Sequence, residues 1–113
     1  MDGDYSSLKE IVELSEKQNA ITVIDDAHGD FVVGKDGKGT PNYFNVGKKI
    51  DLYISSLSKG LGSFGGYVAS KNNVIDLCVN KSKSFIYTSA LPSILIEYSI
   101  KRFKSNREKQ MKN

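Results

Sequence analysis

The sequence has few cysteines, the residues whose disulfides stabilise secreted domains, and no segment that could span a membrane. Tryptophan is absent, and the single cysteine, Cys78, excludes an intramolecular disulfide. No apolar run approaches the roughly 20 residues of a membrane-spanning helix. The polar, acidic start 1–4 does not resemble a secretory signal. These absences favour a cytoplasmic protein without a membrane span, in which Cys78, within an apolar run, is expected to be a buried structural thiol.

Net positive charge is confined to the last residues. The net charge is +3, but residues 101–113 carry six basic side chains and one acidic side chain, so the remainder is net negative. A nucleic-acid surface needs basic and aromatic residues interleaved across the domain, and Phe103 is the only aromatic residue in this tail. We therefore expect no nucleic-acid partner. The chain is divided into a domain portion, 1–100, and a basic helix end or tail, 101–113.

The periodicity of apolar residues predicts alternating helices and strands, as in a layered α/β domain. Ser7 and Glu10 form a capping-box pattern at the start of the first helix, which is expected to run from about Ser7 to Asn19. The first strand, 21–24, is a β-branched and mainly apolar run, which indicates a parallel strand covered on both faces. The remaining predicted segments are an exposed connection 29–49, strands 51–55 and 66–70, a helix 73–80 with Val74, Leu77 and Cys78 on one face, a strand 84–87, and a final helix opened by Pro92 with Leu95 and Tyr98 facing inward.

A small-residue turn with one lysine, residues 55–66, follows the predicted strand 51–55. Hydroxyl residues precede Lys59 and glycines follow it, so the backbone bends sharply or approaches a ligand closely. Such a lysine can form an imine with a carbonyl compound or can contact a phosphate. On this stretch alone, an ordinary surface turn remains the alternative.

Two glycine patterns resemble nucleotide-binding motifs but lack the required context. Gly60, Gly62 and Gly65 match the dinucleotide fingerprint, yet the following residues look extended and no acid stands about 20 residues later. The segment 34–41 resembles a phosphate loop without its Lys-Ser/Thr pair. A dinucleotide-dependent oxidoreductase is therefore a lesser alternative, and no metal site is predicted.

Polar residues gather at three predicted strand ends, where ligands of open α/β sheets bind. Pyridoxal 5′-phosphate (PLP) needs a lysine, a carboxylate beside the ring nitrogen, and hydroxyl or N–H groups for its phosphate. A nearby carboxylate keeps that nitrogen protonated, because an opposite charge favours the charged form. Asp26 and His28 could instead only cap a turn. The candidate site residues are Asp25 and His28, Ser56 and Lys59, and Thr88 and Ser89.

Four motifs in this order and spacing resemble the α-oxoamine synthases, which are fold-type I PLP enzymes that condense an amino acid with an acyl thioester and release CO₂. The first motif is most similar to that of the biotin-synthesis members, which use L-alanine and a pimeloyl thioester. Asp30 and Phe31 depart from the small pair usual in the family. The motifs are DDAHG at 25–29, GKDGKGT at 34–40, SKGLGSFGG at 58–66 and FIYTSALP at 85–92.

The resemblance implies a role for each candidate residue. Lys59 would hold PLP and move the substrate α-proton, Asp25 would pair with the pyridine nitrogen, and His28 would bond the phenolic oxygen. Ser56 stands at the position of a phosphate-binding threonine. Thr88 and Ser89 stand where the neighbouring subunit contacts phosphate, which implies a homodimer.

The resemblance also implies that the chain is the central part of the large domain of a fold-type I PLP-dependent transferase, with a mostly parallel sheet and flanking helices. Met1 matches an internal methionine of the family, as in a truncated or split reading frame. Such a slice leaves strand edges unpaired. We therefore expect little or no synthase activity from residues 1–113 alone. Other α-oxoamine synthases (2-amino-3-ketobutyrate ligase or serine palmitoyltransferase types) and a non-catalytic remnant remain alternatives.

Overall fold

A three-stranded mixed sheet in the order β1-β2-β3 lies at the centre of the chain. The structure is a computed structural model that describes residues 3–110, without the side chains of residues 107, 109 and 110. Strand β1 pairs parallel to β2, and β2 pairs antiparallel to β3. The elements are α1 (Leu8–Lys17), β1 (Val23–Asp25), α2 (Thr40–Tyr43), β2 (Leu52–Ser56), β3 (Gly66–Ser70), α3 (Asn72–Lys81), α4 (Lys83–Ile86) and α5 (Ser93–Gln110).

The core lies between α1 and one face of the sheet. Leu8 and Val12, one helical turn apart, are buried against Val46. The partly buried Ile24, Phe44 and Ile50 complete this cluster. Ser7 is the N-cap residue of α1, but its side chain forms no capping hydrogen bond, so the predicted capping box is wrong. Only the Ser7 carbonyl serves the helix, by accepting the Ile11 N–H at 3.0 Å.

The opposite face of the sheet is open. In the observed register Asp25 pairs with Ile54, and Ile54 pairs with Val68, so these three side chains share one face. Val23 on the same face is 57% exposed and Val68 is 42% exposed. The predicted parallel pairing of β1 is confirmed, but the expected cover on both of its faces is absent among the described residues.

The prediction of a strand over 84–87 is wrong, because this segment forms the exposed helix α4 and the bend that follows it. Its backbone bonds locally: the Ile86 N–H donates to the Ser82 carbonyl at 2.9 Å, and the Tyr87 N–H to the Lys83 carbonyl at 3.1 Å. A short aromatic and β-branched run does not distinguish helix from strand. With no strand beside it in the described chain, local bonding satisfies its peptide groups.

Three smaller predictions need correction. The connection 29–49 is not simply exposed, because residues 39–41 and Val46 are buried. Tyr98 does not face inward, being 48% exposed. Cys78 is partly rather than fully buried. The apolar residues around Cys78 and Tyr98 predicted that α3 and α5 pack into a core. Within the described residues, few side chains pack against these two helices.

Residues 101–110 continue α5 without a break. No helix within residues 3–110 is both long enough and apolar enough to cross a membrane.

Candidate functional site

The carboxyl ends of β1 and β2 lie side by side, because the two strands are parallel neighbours. Asp25 ends β1 opposite Ile54, and Ser56 ends β2 two residues further on. Side chains two apart in a strand point to the same face. The carboxylate of Asp25 and the hydroxyl of Ser56 therefore project from the open face at the same edge of the sheet.

The two adjacent aspartates of the first motif have different environments. Asp25 is exposed, and its Oδ1 accepts one hydrogen bond, from the Ala27 N–H at 3.1 Å. Asp26 points to the α1 side of the sheet and is only 6% exposed. Its oxygens accept bonds from the Thr40 N–H at 2.7 Å, the Thr40 hydroxyl, and the Tyr53 hydroxyl at 2.8 Å. Asp25 is therefore the carboxylate with capacity left for a ligand.

His28 and Lys59 are both exposed in turns that follow β1 and β2. The Lys59 carbonyl accepts the Gly62 N–H at 2.9 Å, and the turn closes where the Leu57 N–H meets the Gly65 carbonyl at 2.9 Å. Gly62 has a φ of +66°, in the left-handed region that favours glycine. The amine is thus carried by a tightly bonded turn, not by a loose loop.

The glycine pattern of this turn does not open a helix. Residues 66–70 after it form the antiparallel strand β3. A dinucleotide fingerprint needs a helix there, whose N-terminus receives the pyrophosphate. The structure therefore removes the context on which the dinucleotide alternative depends.

Thr88 and Ser89 lie apart from a strand end. Both are exposed in the stretch between α4 and α5, where Thr88 Oγ1 reaches the Ser89 carbonyl at 3.5 Å. Because 84–87 is not a strand, the expected meeting of three strand ends is reduced to two. The structure brings together the positions around Asp25 and Ser56 and leaves these two hydroxyls on a separate segment.

Asp30 is a second buried carboxylate, which the sequence marked only as a departure from the family pattern. It is 6% exposed, and its Oδ2 accepts the Ser55 and Tyr67 hydroxyls, each at 2.6 Å. This links the loop after β1 to both β2 and β3. The sequence signal for these contacts is the alternation of polar residues in β2 and β3, which places Tyr53, Ser55 and Tyr67 together on the face opposite Ser56.

Burial raises the pKa of the Tyr53 hydroxyl well above its usual range, and the hydrogen bond to Asp26 acts in the same direction. The pKa of Tyr67 is raised for the same reasons, by burial and by its bond to Asp30. Both rings therefore stay protonated and donate to the carboxylates. Every buried side-chain polar atom of the described residues has a hydrogen-bond partner. The buried aspartates and their tyrosine partners therefore support the strand ends structurally.

No cluster of three or more histidine, cysteine or acidic side chains suited to a metal occurs within residues 3–110. The exposed groups at the sheet edge are instead an amine, a carboxylate, an imidazole and hydroxyls. This set can bind a small molecule that carries an aldehyde, a basic ring nitrogen and an anionic group.

Comparison with known proteins gives a consistent relationship over the whole chain. The profile of the family described as aminotransferase class I and II matches residues 1–113. An 8-amino-7-oxononanoate synthase of Thermoanaerobacter pseudethanolicus is 44% identical over 100 residues, covering 88% of this chain and 25% of that protein. A putative 8-amino-7-oxononanoate synthase of Methanococcus vannielii is 43% identical over 116 residues, covering 100% of this chain and 31% of that protein.

The same relationship appears in solved structures. A variant of serine palmitoyltransferase from S. paucimobilis, with a bound PLP–myriocin aldimine, superposes with a TM-score of 0.88 at 25% identity. The match covers 95% of this chain and 27% of that chain. The predicted α/β class and fold-type I resemblance are confirmed. The chain spans about a quarter of the length of the first of these relatives.

Proposed function

The chain belongs to the class I and II aminotransferase family, and from that premise we propose that it is the lysine-bearing portion of a PLP-dependent acyltransferase. Residues 1–100 would form part of the PLP-binding large domain, and residues 101–113 would be its basic helix end or tail, of which 111–113 lie outside the described residues. The observation that carries the proposal is the placement of exposed Asp25 and partly exposed Ser56 on one face of the sheet, with the Lys59 turn directly after Ser56.

The residues at the sheet edge fit PLP by their chemistry and accessibility. Asp25 is exposed with one internal hydrogen bond, whereas the neighbouring Asp26 is fully engaged. Within the described residues, the Ser56 hydroxyl hydrogen-bonds only to Ser58, to its hydroxyl at 2.8 Å and its N–H at 3.3 Å, and both bonds are exposed. The Ser56 hydroxyl can exchange these hydrogen bonds to Ser58 for a hydrogen bond to a phosphate.

When bound, PLP supplies an electron sink for a carbanion at the substrate α-carbon. Lys59 would hold the aldehyde carbon through its ε-amine and later carry the substrate α-proton. Asp25 would hold a proton on the pyridine nitrogen, because the adjacent negative charge favours the charged ring. His28 would donate a hydrogen bond to the phenolic oxygen, and Ser56 would bind the phosphate.

Thr88 and Ser89 are proposed to bind phosphate in the neighbouring subunit of a homodimer. Their exposure and their separation from the strand ends support a role outside this chain's own site. The homodimer would be cytoplasmic.

The proposed reaction is the decarboxylative condensation of L-alanine with a pimeloyl thioester in biotin synthesis. The names of the relatives at 43% and 44% identity support it. The alternative is condensation of another amino acid with a longer acyl thioester, as the likeness to serine palmitoyltransferase suggests. Because the chain spans about a quarter of the first relative, we propose that residues 1–113 alone have little or no synthase activity. Turnover of L-alanine with pimeloyl-CoA by the purified chain would contradict that.

Titration with PLP tests the cofactor assignment. We expect a new absorbance band near the visible edge that Lys59→Ala removes. Lys71→Ala is the matched control, because Lys71 is an exposed lysine at the start of α3, and this variant should retain the band. An identical band in Lys59→Ala, or none in the unaltered folded chain, would overturn the assignment.

A further inference from the structure

The turn that carries Lys59 is fixed by contacts outside itself. Leu61, two residues after the lysine, is only 2% exposed. Its carbonyl accepts a hydrogen bond from Arg102 Nε at 3.1 Å, across 41 residues of sequence. A long-range bond from a charged donor to a turn carbonyl constrains the peptide groups on both sides of that carbonyl.

A second contact from α5 lies one helical turn before Arg102. The hydroxyls of Ser99 and Ser63 are 2.6 Å apart, and Ser99 also donates to the Leu95 carbonyl at 2.7 Å. Gly62 leaves room for the guanidinium, since a Cβ at that position would lie 3.3 Å from Arg102 Nη2. Helix α5 therefore meets the lysine turn at three consecutive residues, 61–63.

The other side of the turn packs against the loop after β1. A Cβ at Gly60 would collide with the Asp30 carbonyl and lie 2.9 Å from Val32 Cγ2. The ring of Phe31 in this loop meets Phe103 of α5 edge to face, with centroids 6.1 Å apart. The residue after Lys59 is thus confined by the loop while the next three residues are confined by α5.

We propose that Arg102 is a positioning residue for Lys59. Its guanidinium holds the Leu61 carbonyl, and through the Gly62 N–H bond to the Lys59 carbonyl it fixes the direction in which the ε-amine leaves the turn. The inference rests on the proposed function only for what Lys59 binds. The restraint on the turn stands on the hydrogen bonds of this chain alone.

The first test needs no cofactor and compares two neighbouring charges. Arg102→Met removes the guanidinium that bonds the Leu61 carbonyl and keeps an aliphatic side chain. Lys101→Met removes an equal charge whose partner is Glu97, at 2.7 Å on the exposed side of the same helix. In hydrogen exchange of residues 57–65, Arg102→Met should accelerate exchange at least about threefold while leaving α3 unchanged. Equal exchange in both variants would overturn the proposal.

The second test reads the geometry of the bound cofactor. With PLP added, Arg102→Met should keep the visible absorbance band but lose about two-thirds of its visible circular dichroism, since that signal requires a fixed orientation in a chiral site. Lys101→Met should keep both signals. Full retention of the circular dichroism by Arg102→Met would contradict a positioning role.

A third variant covers loss of folding. If Arg102→Met loses the far-ultraviolet signature of helix, Arg102→Ala, which also removes the donor to the Leu61 carbonyl but introduces the residue type of highest helix propensity, decides by the same two measurements. Unchanged exchange and dichroism in Arg102→Ala would then overturn the proposal. If the unaltered chain does not bind PLP at Lys59, the proposed function fails, and hydrogen exchange still decides the role of Arg102.

Discussion

Truncation of Asp26 should lower the stability of the fold, whereas truncation of the adjacent Asp25 should weaken cofactor binding. Asp26→Ala removes the acceptor of two buried donors, the Thr40 N–H and hydroxyl, and of one partly buried donor, the Tyr53 hydroxyl. A buried donor left without a partner costs about 1–3 kcal/mol. Because water can enter the gap and replace part of this bonding, we expect a loss of about 3–5 kcal/mol in the free energy of unfolding.

The controls follow from the same geometry. Asp26→Asn should cost only about 1–2 kcal/mol, since the amide oxygen can keep the Thr40 N–H and Tyr53 while its NH₂ meets the rotated Thr40 hydroxyl. Asp25→Ala deletes an exposed side chain with one local bond, so its cost should stay below about 1 kcal/mol. Urea unfolding followed by circular dichroism measures all three.

The opposite order should hold for the cofactor. Asp25→Ala should weaken PLP binding, and Asp26→Asn should leave it unchanged. Equal destabilisation by Asp25→Ala and Asp26→Ala, or loss of PLP binding only in Asp26→Asn, would refute the assignment of one acid to the ligand and the other to the fold.

Three further predictions use residues matched within the chain. Gly39→Ala, whose Cβ would collide with the buried carboxylate beneath it, should destabilise the chain by at least about 2 kcal/mol more than Gly3→Ala in thermal melts. The two glycines have φ values of +84° and +82°, but Gly3 has open space around it, so equal melting would show that only backbone strain matters. The raised pKa of Tyr53 contributes stability that is complete below the ordinary tyrosine pKa of 10.0 and is lost as pH rises above that value. The melting temperature should therefore fall between about pH 9 and about pH 11. An equally steep fall in a Tyr53→Phe variant would exclude this ring as the cause. In urea unfolding, Leu8→Ala should cost about 2–4 kcal/mol and Leu14→Ala, at 58% exposure on the same helix, less than about 1 kcal/mol; similar costs would place the core elsewhere.

Segments with a strong local pattern were predictable from the sequence. Helix α1 and strands β2 and β3 lie within a residue or two of their expected bounds, because apolar spacing and flanking glycines are local signals. The segment 84–87 was not predictable in this way. Its side chains suit either state, and the outcome depends on whether a neighbouring strand is present.

The sequence proposes the residues of the candidate site but not their arrangement. The doublet at 25–26 does not reveal which carboxylate faces outward. That depends on the β1–β2 register and on Thr40 and Tyr53, which lie 14 and 27 residues away from Asp26. The contact between α5 and the lysine turn spans a still longer separation, so no sequence pattern marks Arg102. The roles of all six candidate residues stay predictions: Asp25, His28, Ser56, Lys59, Thr88 and Ser89.

Reduction of the PLP-loaded chain with borohydride, followed by proteolysis and mass spectrometry, tests the central claim most directly. The account predicts that the mass of one reduced pyridoxyl phosphate group is found on the peptide that contains Lys59, with the other lysines unmodified at stoichiometric PLP. Modification spread evenly over exposed lysines such as Lys35 and Lys71, or absent from Lys59, would contradict it.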